Sequence, residues 1–227
     1  MNIDAYLDPQ YGIHDYLLSL IHIPPYLHPK TVIFDYLFKH TKHGRIRHLG
    51  FSCHGALPVL KRFLEAYGQD MEFCQLQLNY IDWTFQGGRE KVELLDQYHI
   101  PVWVMEPLRG GRLARLSDAE AAPLKAMRPD ETVPAWAFRF LQSIPSVTMI
   151  LSGMSNLEQM KANIATFQTD APLSDEEMKG LLAHARDMIG KTALPCTACH
   201  YCVSHCPQGL DIPHLLALYN AHAFSGG

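Results

Sequence analysis

Gly44 to Gly68 reads G-R-I-R-H-L-G-F-S-C-H-G-A-L-P-V-L-K-R-F-L-E-A-Y-G and contains one complete strand and helix. The segment 45–52 predicts a strand, and the amphipathic segment 58–67 predicts the helix that follows it. Gly44 and Gly68 predict the ends of the preceding helix and of this one, because glycine readily adopts the left-handed conformation found just after a helix. A short apolar run followed by an amphipathic segment is the βα unit of a parallel sheet.

The same alternation recurs along the chain and predicts an α/β fold with five parallel strands. The predicted strands are 13–22, 45–52, 72–80, 101–106 and 147–152. The predicted helices between them are about 31–43, 58–67, 89–98 and 133–144. Two of the connections are distinctive, a proline-rich turn before the first helix and the glycine-bearing loop P-L-R-G-G-R-L after the fourth strand.

The part of the chain after the last strand contains two predicted capping boxes. Ser155 with Glu158, and Ser174 with Glu177, each place a serine three residues before a glutamate at the start of an amphipathic segment. The second box begins a helix from 175 to about 189, and a closing helix is predicted at 211–222. We therefore expect three regions, a sheet-containing domain at 1–172, a connecting helix at 173–190 and a C-terminal segment at 191–227.

The composition excludes several functional classes. The chain has 227 residues, 48% hydrophobic and 19% charged, enough for one core with an appendage. A net charge of -4 and a pI near 6.3 give no electrostatic reason to expect nucleic acid or an anionic membrane as partner. The apolar stretch 16–27 is broken by His22, Pro24 and Pro25 and is too short to span a membrane. The acidic start M-N-I-D-A-Y-L-D differs from a basic secretion leader, so we expect a cytoplasmic protein.

The stretch 196–207 reads C-T-A-C-H-Y-C-V-S-H-C-P and predicts a 4Fe-4S cluster. Its thiols are spaced by two, two and three residues and are closed by a proline, as in bacterial ferredoxins. Zinc is the alternative metal, although zinc sites usually divide their thiols into two separated pairs. A disulfide framework fits less well, because these thiols are clustered. The predicted ligands are Cys196, Cys199, Cys202 and Cys206, with Cys53 and Cys74 as the other candidates for the fourth position.

Four further strings resemble the aldo-keto reductases when they are taken together. They are G-R-I-R-H-L-G-F-S, C-Q-L-Q-L-N-Y-I-D, V-M-E-P-L-R-G-G-R-L and L-S-G-M-S-N-L-E-Q-M-K-A-N. The chain is similar, more narrowly, to the subgroup with a C-terminal ferredoxin-like cysteine motif. The resemblance covers about 13–220 and implies five of the eight βα units of a TIM barrel, as in an N-terminally truncated member of the family.

This resemblance implies that NADP or NAD binds across the carboxyl ends of the strands. Ser52 and Gln75 would hold the nicotinamide carboxamide, and Gln77, on the same strand face, is the rival of Gln75. A glycine-bearing loop would follow the pyrophosphate, a helix N-terminus would meet the adenosine phosphate, and one helix face would address the adenine. The residues implied for these three tasks are Glu106, Leu108 and Gly110; Ser152, Gly153 and Ser155; and Gln159 and Asn163.

The catalytic group of the family is implied only in part. Carbonyl reduction in this family uses a tyrosine, a lysine, an aspartate and a histidine, and only the histidine would come from this half of the barrel. The strand end L-I-H-I-P places His22 at that position, whereas a different alignment of D-Y-L-L-S places Ser19 there. The other three residues would belong to the missing units.

Two functions follow as expectations. The first is an aldo-keto-type oxidoreductase that transfers hydride between NAD(P)H and a small-molecule carbonyl or alcohol and carries a 4Fe-4S cluster. The second is an iron-sulfur electron-transfer or scaffold module without hydride chemistry, which would act with a redox partner protein.

Overall fold

The computed structural model describes residues 16–23, 32–190, 194, 196 and 201–225. The strands are β1 (Tyr16–Ile23), β2 (Ile46–Cys53), β3 (Phe73–Gln77), β4 (Val102–Met105) and β5 (Val147–Ile150). The helices up to residue 127 are α1 (Val32–Lys42), α2 (Leu57–Tyr67), α3 (Asp82–Phe85), α4 (Gly88–Gln97) and α5 (Asp118–Met127). The later helices are α6 (Val133–Gln142), α7 (Leu157–Phe167), α8 (Asp175–Gly190), α9 (Tyr201–Ser204) and α10 (Ile212–Ser225). Short 3-10 turns cover Gly68–Asp70 and Arg112–Ala114.

The five strands form one parallel sheet in the order β1-β2-β3-β4-β5. The sequence prediction of an α/β fold with parallel strands is therefore confirmed. Strand order follows chain order, as in a (β/α) barrel, whereas a doubly wound sheet reverses its order at a switch point.

The described residues fall into two compact units. The first contains the sheet with α1, α2 and α4, from residues up to Gln77, Arg89–Met105 and Ser146–Ile150. The second is built from Leu78–Gly88, Glu106–Pro145 and residues from Leu151 onward, and contains the other helices. The three regions predicted from the sequence remain a prediction, and the predicted connecting helix corresponds to α8.

The core of the first unit explains why β2 and α2 form where they do. On α2, Leu60, Phe63 and Leu64 are buried at the spacing of one helix face, and the Phe63 ring lies 4.5 Å from that of Phe51 on β2. Gly50 is required for space, since an added Cβ would lie 2.3 Å from the Phe73 ring. That ring in turn stacks on Trp103 at 4.0 Å, so the absence of a side chain at Gly50 admits an aromatic stack.

The second unit has its own apolar core around α6. Trp136, Phe138 and Phe140 of this helix are fully buried, and the Phe140 ring meets the Trp83 ring edge-on at 5.5 Å. A capping box begins α5, in which Ser117 Oγ accepts from the Glu120 backbone N–H. None of the helices in the described ranges is long and apolar enough to cross a bilayer.

The end of β3 differs from the sequence prediction for a local physical reason. The third strand ends at Gln77, short of the predicted end at Tyr80, because Asn79 Oδ1 accepts from the backbone N–H groups of Ile81 and Asp82 at 3.1 and 2.9 Å. This side chain turns the backbone into α3 instead of leaving it to the sheet.

The cap of α7 is also displaced from its predicted position. Asn156, and not Ser155, is the N-cap, and its Oδ1 accepts from the Gln159 N–H at 2.9 Å. The predicted box of Ser155 with Glu158 is therefore wrong by one residue. The second predicted box is present, since Glu177 Oε2 accepts from the Ser174 N–H at 2.8 Å and Ser174 Oγ accepts from the Glu177 N–H at 3.2 Å.

Candidate nucleotide site

Three of the predicted site residues occupy one row across the sheet of the first unit. His22 on β1 is the register partner of Ser52 on β2, which is the partner of Gln75 on β3. The row lies towards the carboxyl ends of these parallel strands, the edge at which barrel enzymes place their chemistry. Ser19, the alternative to His22, is opposite Leu49 and outside this row.

Gln75 and Gln77 differ in their surroundings. Gln75 is half-buried and its Nε2 lies 3.7 Å from Met105 Sδ. Gln77 is buried and pairs with Met105, two residues nearer the strand end. The register relation to Ser52 therefore distinguishes two residues that sequence spacing alone could not.

An open cavity of about 310 Å³ lies in the second unit. Its lining comes from the segment after β4, the segment after β5 with the start of α7, and one residue of α6. All eight residues that the resemblance assigned to the pyrophosphate, the adenosine phosphate and the adenine lie on this lining: Glu106, Leu108, Gly110, Ser152, Gly153, Ser155, Gln159 and Asn163. Pro107, Gly111, Ala114, Arg115, Pro134, Leu151 and Met154 complete it.

The loop after β4 has an unusual backbone. Glu106 and Arg109 have φ angles of +57° and +48°, although neither is glycine, and Gly110 and Gly111 follow at +62° and +84°. A non-glycine residue in this region costs on the order of 1 kcal/mol or more and persists only where its surroundings hold it. Glu106 Oε2 accepts from the Gly110 N–H at 2.5 Å, so part of the loop is fixed by its own side chain.

Two glycines leave room beside the cavity. A Cβ atom added at Gly111 or Gly153 would meet no atom of the described chain within 4 Å, so neither glycine is needed to avoid a clash within the protein. Both line the cavity, and their backbones are open to a molecule that enters it.

Hydrogen bonds fix the polar side chains that α7 and the preceding segment contribute to this cavity. Gln159 Oε1 accepts from the Ser155 N–H at 2.7 Å, and Asn163 Nδ2 donates to Ser152 Oγ at 3.3 Å. Ser155 therefore lies before the helix, held by Gln159, and does not cap it. The segment from Ser152 to Ser155 lines the cavity and directly precedes α7, so the positive end of the helix dipole is adjacent to this part of the lining.

Glu106 and Arg115 are the charged residues of the lining. Arg115 is exposed, and its guanidinium forms no ion pair with any residue that the structure describes. Sequence reasoning did not select it, since an arginine six residues beyond Arg109 in a loop carries no periodic or motif signal. The structure thus places an arginine without an ion pair at a cavity that also contains the Glu106 carboxylate and lies next to a helix N-terminus, and the arginine and the helix N-terminus suit an anionic ligand.

The cysteine segment is described in part. Cys206 Sγ accepts from the Leu210 N–H at 3.4 Å, and the N–H groups of Leu210, Gln208 and Gly209 lower the pKa of this thiol. Within the described ranges no three metal-ligating side chains come together. Cys199 lies outside those ranges, so the set of four thiolates stays a prediction.

Cys53 and Cys74 have a different environment. Both are buried, and burial raises the pKa of each thiol. These are the properties of small core residues, and they oppose the thiolate form that a cluster ligand needs.

Comparison with known proteins gives the family. The model of the Aldo/keto reductase family matches residues 15–186. No curated protein matches the chain. Among solved structures, the holo and apo forms of an aldo-keto reductase from Bacillus halodurans align with TM-scores of 0.59 and 0.66 at 22% and 20% identity. These alignments cover 75% and 80% of this chain and 61% and 67% of theirs.

An aldo-keto reductase from Klebsiella pneumoniae in complex with NADPH also aligns, with a TM-score of 0.56 and 21% identity, over 74% of this chain and 58% of that one. At such identities these likenesses show the fold alone. The chain spans about three fifths of the length of these relatives. Because the family match extends over well more than half of its residues, the chain belongs to the aldo/keto reductase family.

Proposed function

We propose that this chain is the nucleotide-binding part of an NAD(P)H-dependent oxidoreductase that interconverts a small carbonyl compound and its alcohol. The observation that carries the proposal is the cavity after β4 and β5, where residues from two distant stretches of sequence share one lining. Its volume of about 310 Å³ suits part of a dinucleotide, the adenosine and its phosphates. NADPH, the ligand of the Klebsiella relative, is the first nucleotide to test, and NADH is the alternative.

Each part of the lining has a task in this proposal. The backbone of Gly110 and Gly111 passes along the pyrophosphate, with Leu108 as apolar wall. Ser152, Gly153 and the N-terminus of α7 meet the adenosine phosphate, as helix N-termini do for anions. Gln159 and Asn163, four residues apart on α7, address the adenine.

A separate proposal concerns the row on the sheet of the first unit, which the family resemblance assigns to the nicotinamide. When bound, the nicotinamide ring supplies or accepts the hydride. Ser52 and Gln75 are proposed to hold its carboxamide, and their register pairing on β2 and β3 supports this role. His22 is proposed to orient the substrate, because it belongs to the same row and Ser19 does not.

Proton transfer is assigned to no residue of this chain. The family resemblance assigns it to a tyrosine with lysine and aspartate partners in βα units that precede those seen here. We propose that the catalytic protein contains those units, in keeping with relatives of which this chain spans about three fifths. Hydride transfer is then a property of the whole protein, and nucleotide binding is the step that this chain can be tested for.

The same protein is proposed to carry a 4Fe-4S cluster on Cys196, Cys199, Cys202 and Cys206. The hydrogen-bonded and acidified thiol of Cys206 supports a cluster ligand, since N–H groups directed at sulfur stabilise thiolates. This observation also favours the second candidate function, an electron-transfer or scaffold module that uses its cluster with a partner protein.

The test is a titration of the purified chain with NADPH and then with NADH, in which tryptophan fluorescence and calorimetry measure binding. Asn163→Ala removes an amide from the cavity, and Lys161→Ala, an exposed residue of the same helix outside the lining, is the matched control. We expect saturable NADPH binding that Asn163→Ala weakens several-fold, as losing one hydrogen bond of roughly 1 kcal/mol allows, and that the control leaves unchanged. Wild-type protein that binds neither nucleotide would remove the oxidoreductase proposal for this chain.

A further inference from the structure

The glycine-bearing loop after β4 is bonded to two buried polar residues that belong to no assigned site. Asn79 and Asp82, both fully buried, lie in the turn between β3 and α3. Asn79 Nδ2 donates to the backbone carbonyl of Glu106 at 3.0 Å and to Asp82 Oδ2 at 2.8 Å. The first of these bonds reaches the residue at which the left-handed backbone begins.

Asp82 binds the glycine-bearing loop at Arg109. Arg109 Nε donates to Asp82 Oδ1 at 3.2 Å and lies 3.4 Å from Oδ2. The Arg109 side chain is 16% exposed and Asp82 is fully buried, so this ion pair is shielded from solvent. A charge-assisted bond in such surroundings is stronger than one on the surface.

The two contacts lie at the two non-glycine residues of this loop that have positive φ. Glu106 and Arg109 are also the ends of one turn, because the Arg109 N–H donates to the Glu106 carbonyl at 3.0 Å. Left to itself, a turn with two such residues would relax towards a more common conformation. Asn79 and Asp82 fix both ends of it at once.

We infer that Asn79 and Asp82 are positioning residues that keep the loop from Glu106 to Gly111 in the conformation that receives the nucleotide phosphates. The nucleotide as the ligand of this loop rests on the proposed function. The contacts by which Asn79 and Asp82 hold the loop are independent of it. Their action is indirect, because neither residue lines the cavity.

The experiment separates this role from plain structural support. In Asn79→Ser the hydroxyl can still accept from the following backbone N–H groups and preserve the turn, but it is too short to reach the Glu106 carbonyl. Asp82→Asn keeps the shape and removes the charge that faces Arg109. Ser143→Ala is the matched control, since Ser143 Oγ accepts from the Leu173 N–H at 2.7 Å in the same unit and outside the lining.

Amide hydrogen exchange of the ligand-free protein is measured first. The Gly110 and Leu113 amides, bonded to Glu106 Oε2 and the Leu108 carbonyl, report opening of the loop. We expect both to exchange about tenfold faster in Asn79→Ser and Asp82→Asn, the factor for roughly one lost buried hydrogen bond, and NADPH to bind more weakly by a similar factor. The Ser143→Ala control should change neither, even where its melting temperature falls.

The outcomes distinguish the two proposals. Unchanged exchange at Gly110 and Leu113 in both variants, or an equal change in the control, overturns the inference whether or not NADPH binds. Faster exchange with wild-type NADPH affinity also overturns it, because the loop would then need no positioning. Wild-type protein that binds neither NADPH nor NADH instead refutes the proposed function, while the exchange rates still decide whether Asn79 and Asp82 hold the loop.

Discussion

Replacing Glu177 by glutamine tests how the start of α8 is held to the end of α5. Arg128 Nε and Nη2 donate to Glu177 Oε1 and Oε2 at 2.5 and 2.7 Å, a two-pronged pair, and Glu177 also closes the capping box with Ser174. Hydrogen bonds from Arg128, opposed by burial, lower the pKa of Glu177 from 4.5 to about 2. A lowered carboxyl pKa means that the folded state favours the charged form.

The magnitude follows from that difference in pKa. The interval from 4.5 to about 2 corresponds to roughly 3 kcal/mol at ~1.4 kcal/mol per pH unit, before solvent screening. Both side chains are about one fifth exposed, so screening reduces the contribution to about 1–2 kcal/mol. This stability is present above pH ~4.5 and is lost as the pH falls towards 2, because protonation in the unfolded state begins first.

Urea unfolding, followed by tryptophan fluorescence at several pH values from 7 to 3, measures the effect. Glu177→Gln should lower the free energy of unfolding by about 1–2 kcal/mol at pH 7, and its gap to wild type should shrink as the pH falls. Glu176→Gln, at an exposed neighbour, should leave the curve unchanged. Glu120, whose pKa is also lowered to about 2, contributes equally to all three proteins and cancels in the difference. A pH-independent gap, or none, would refute the reasoning.

Three further predictions concern the cavity and the thiols. Arg115→Gln should weaken NADPH binding several-fold and reduce its salt dependence, measured by calorimetry at two salt concentrations; equal salt slopes in both proteins would contradict an ionic role. Cys206→Ser should lower the iron content and visible absorbance of protein reconstituted without oxygen; full iron retention would exclude this ligand. Because burial raises the pKa of Cys53 and Cys74, iodoacetamide should modify them only after unfolding, measured by mass spectrometry; rapid native labelling would contradict their burial.

The helix caps show where local sequence is ambiguous. Ser155 and Asn156 are adjacent, and each has a partner three residues later, Glu158 or Gln159. Both are good cap residues, so the pattern permits either start. In the folded chain Asn156 caps α7, and Gln159 instead binds the Ser155 N–H. A one-residue choice of this kind depends on how the preceding segment enters the helix.

The sequence contains a local turn pattern at the end of β3 that the strand prediction did not take into account. The string N-Y-I-D contains an asparagine before an aspartate, which favours a turn stabilised by the asparagine side chain. The apolar content of 72–80 instead favoured a longer strand. The strand instead ends at Gln77, because the Asn79 side chain binds the backbone N–H groups of Ile81 and Asp82 and turns the chain into α3.

The sequence alone predicted the five strands, their parallel arrangement and the family, since periodicity and motif strings depend only on neighbouring residues, but it did not predict the helices α3 and α5. It also selected eight residues that prove to line one cavity. Only the tertiary structure placed His22 opposite Ser52, put Arg115 on that lining and joined Asn79 and Asp82 to the loop at Glu106 and Arg109. Strand register and contacts between distant segments arise from packing across the chain, which no local pattern encodes.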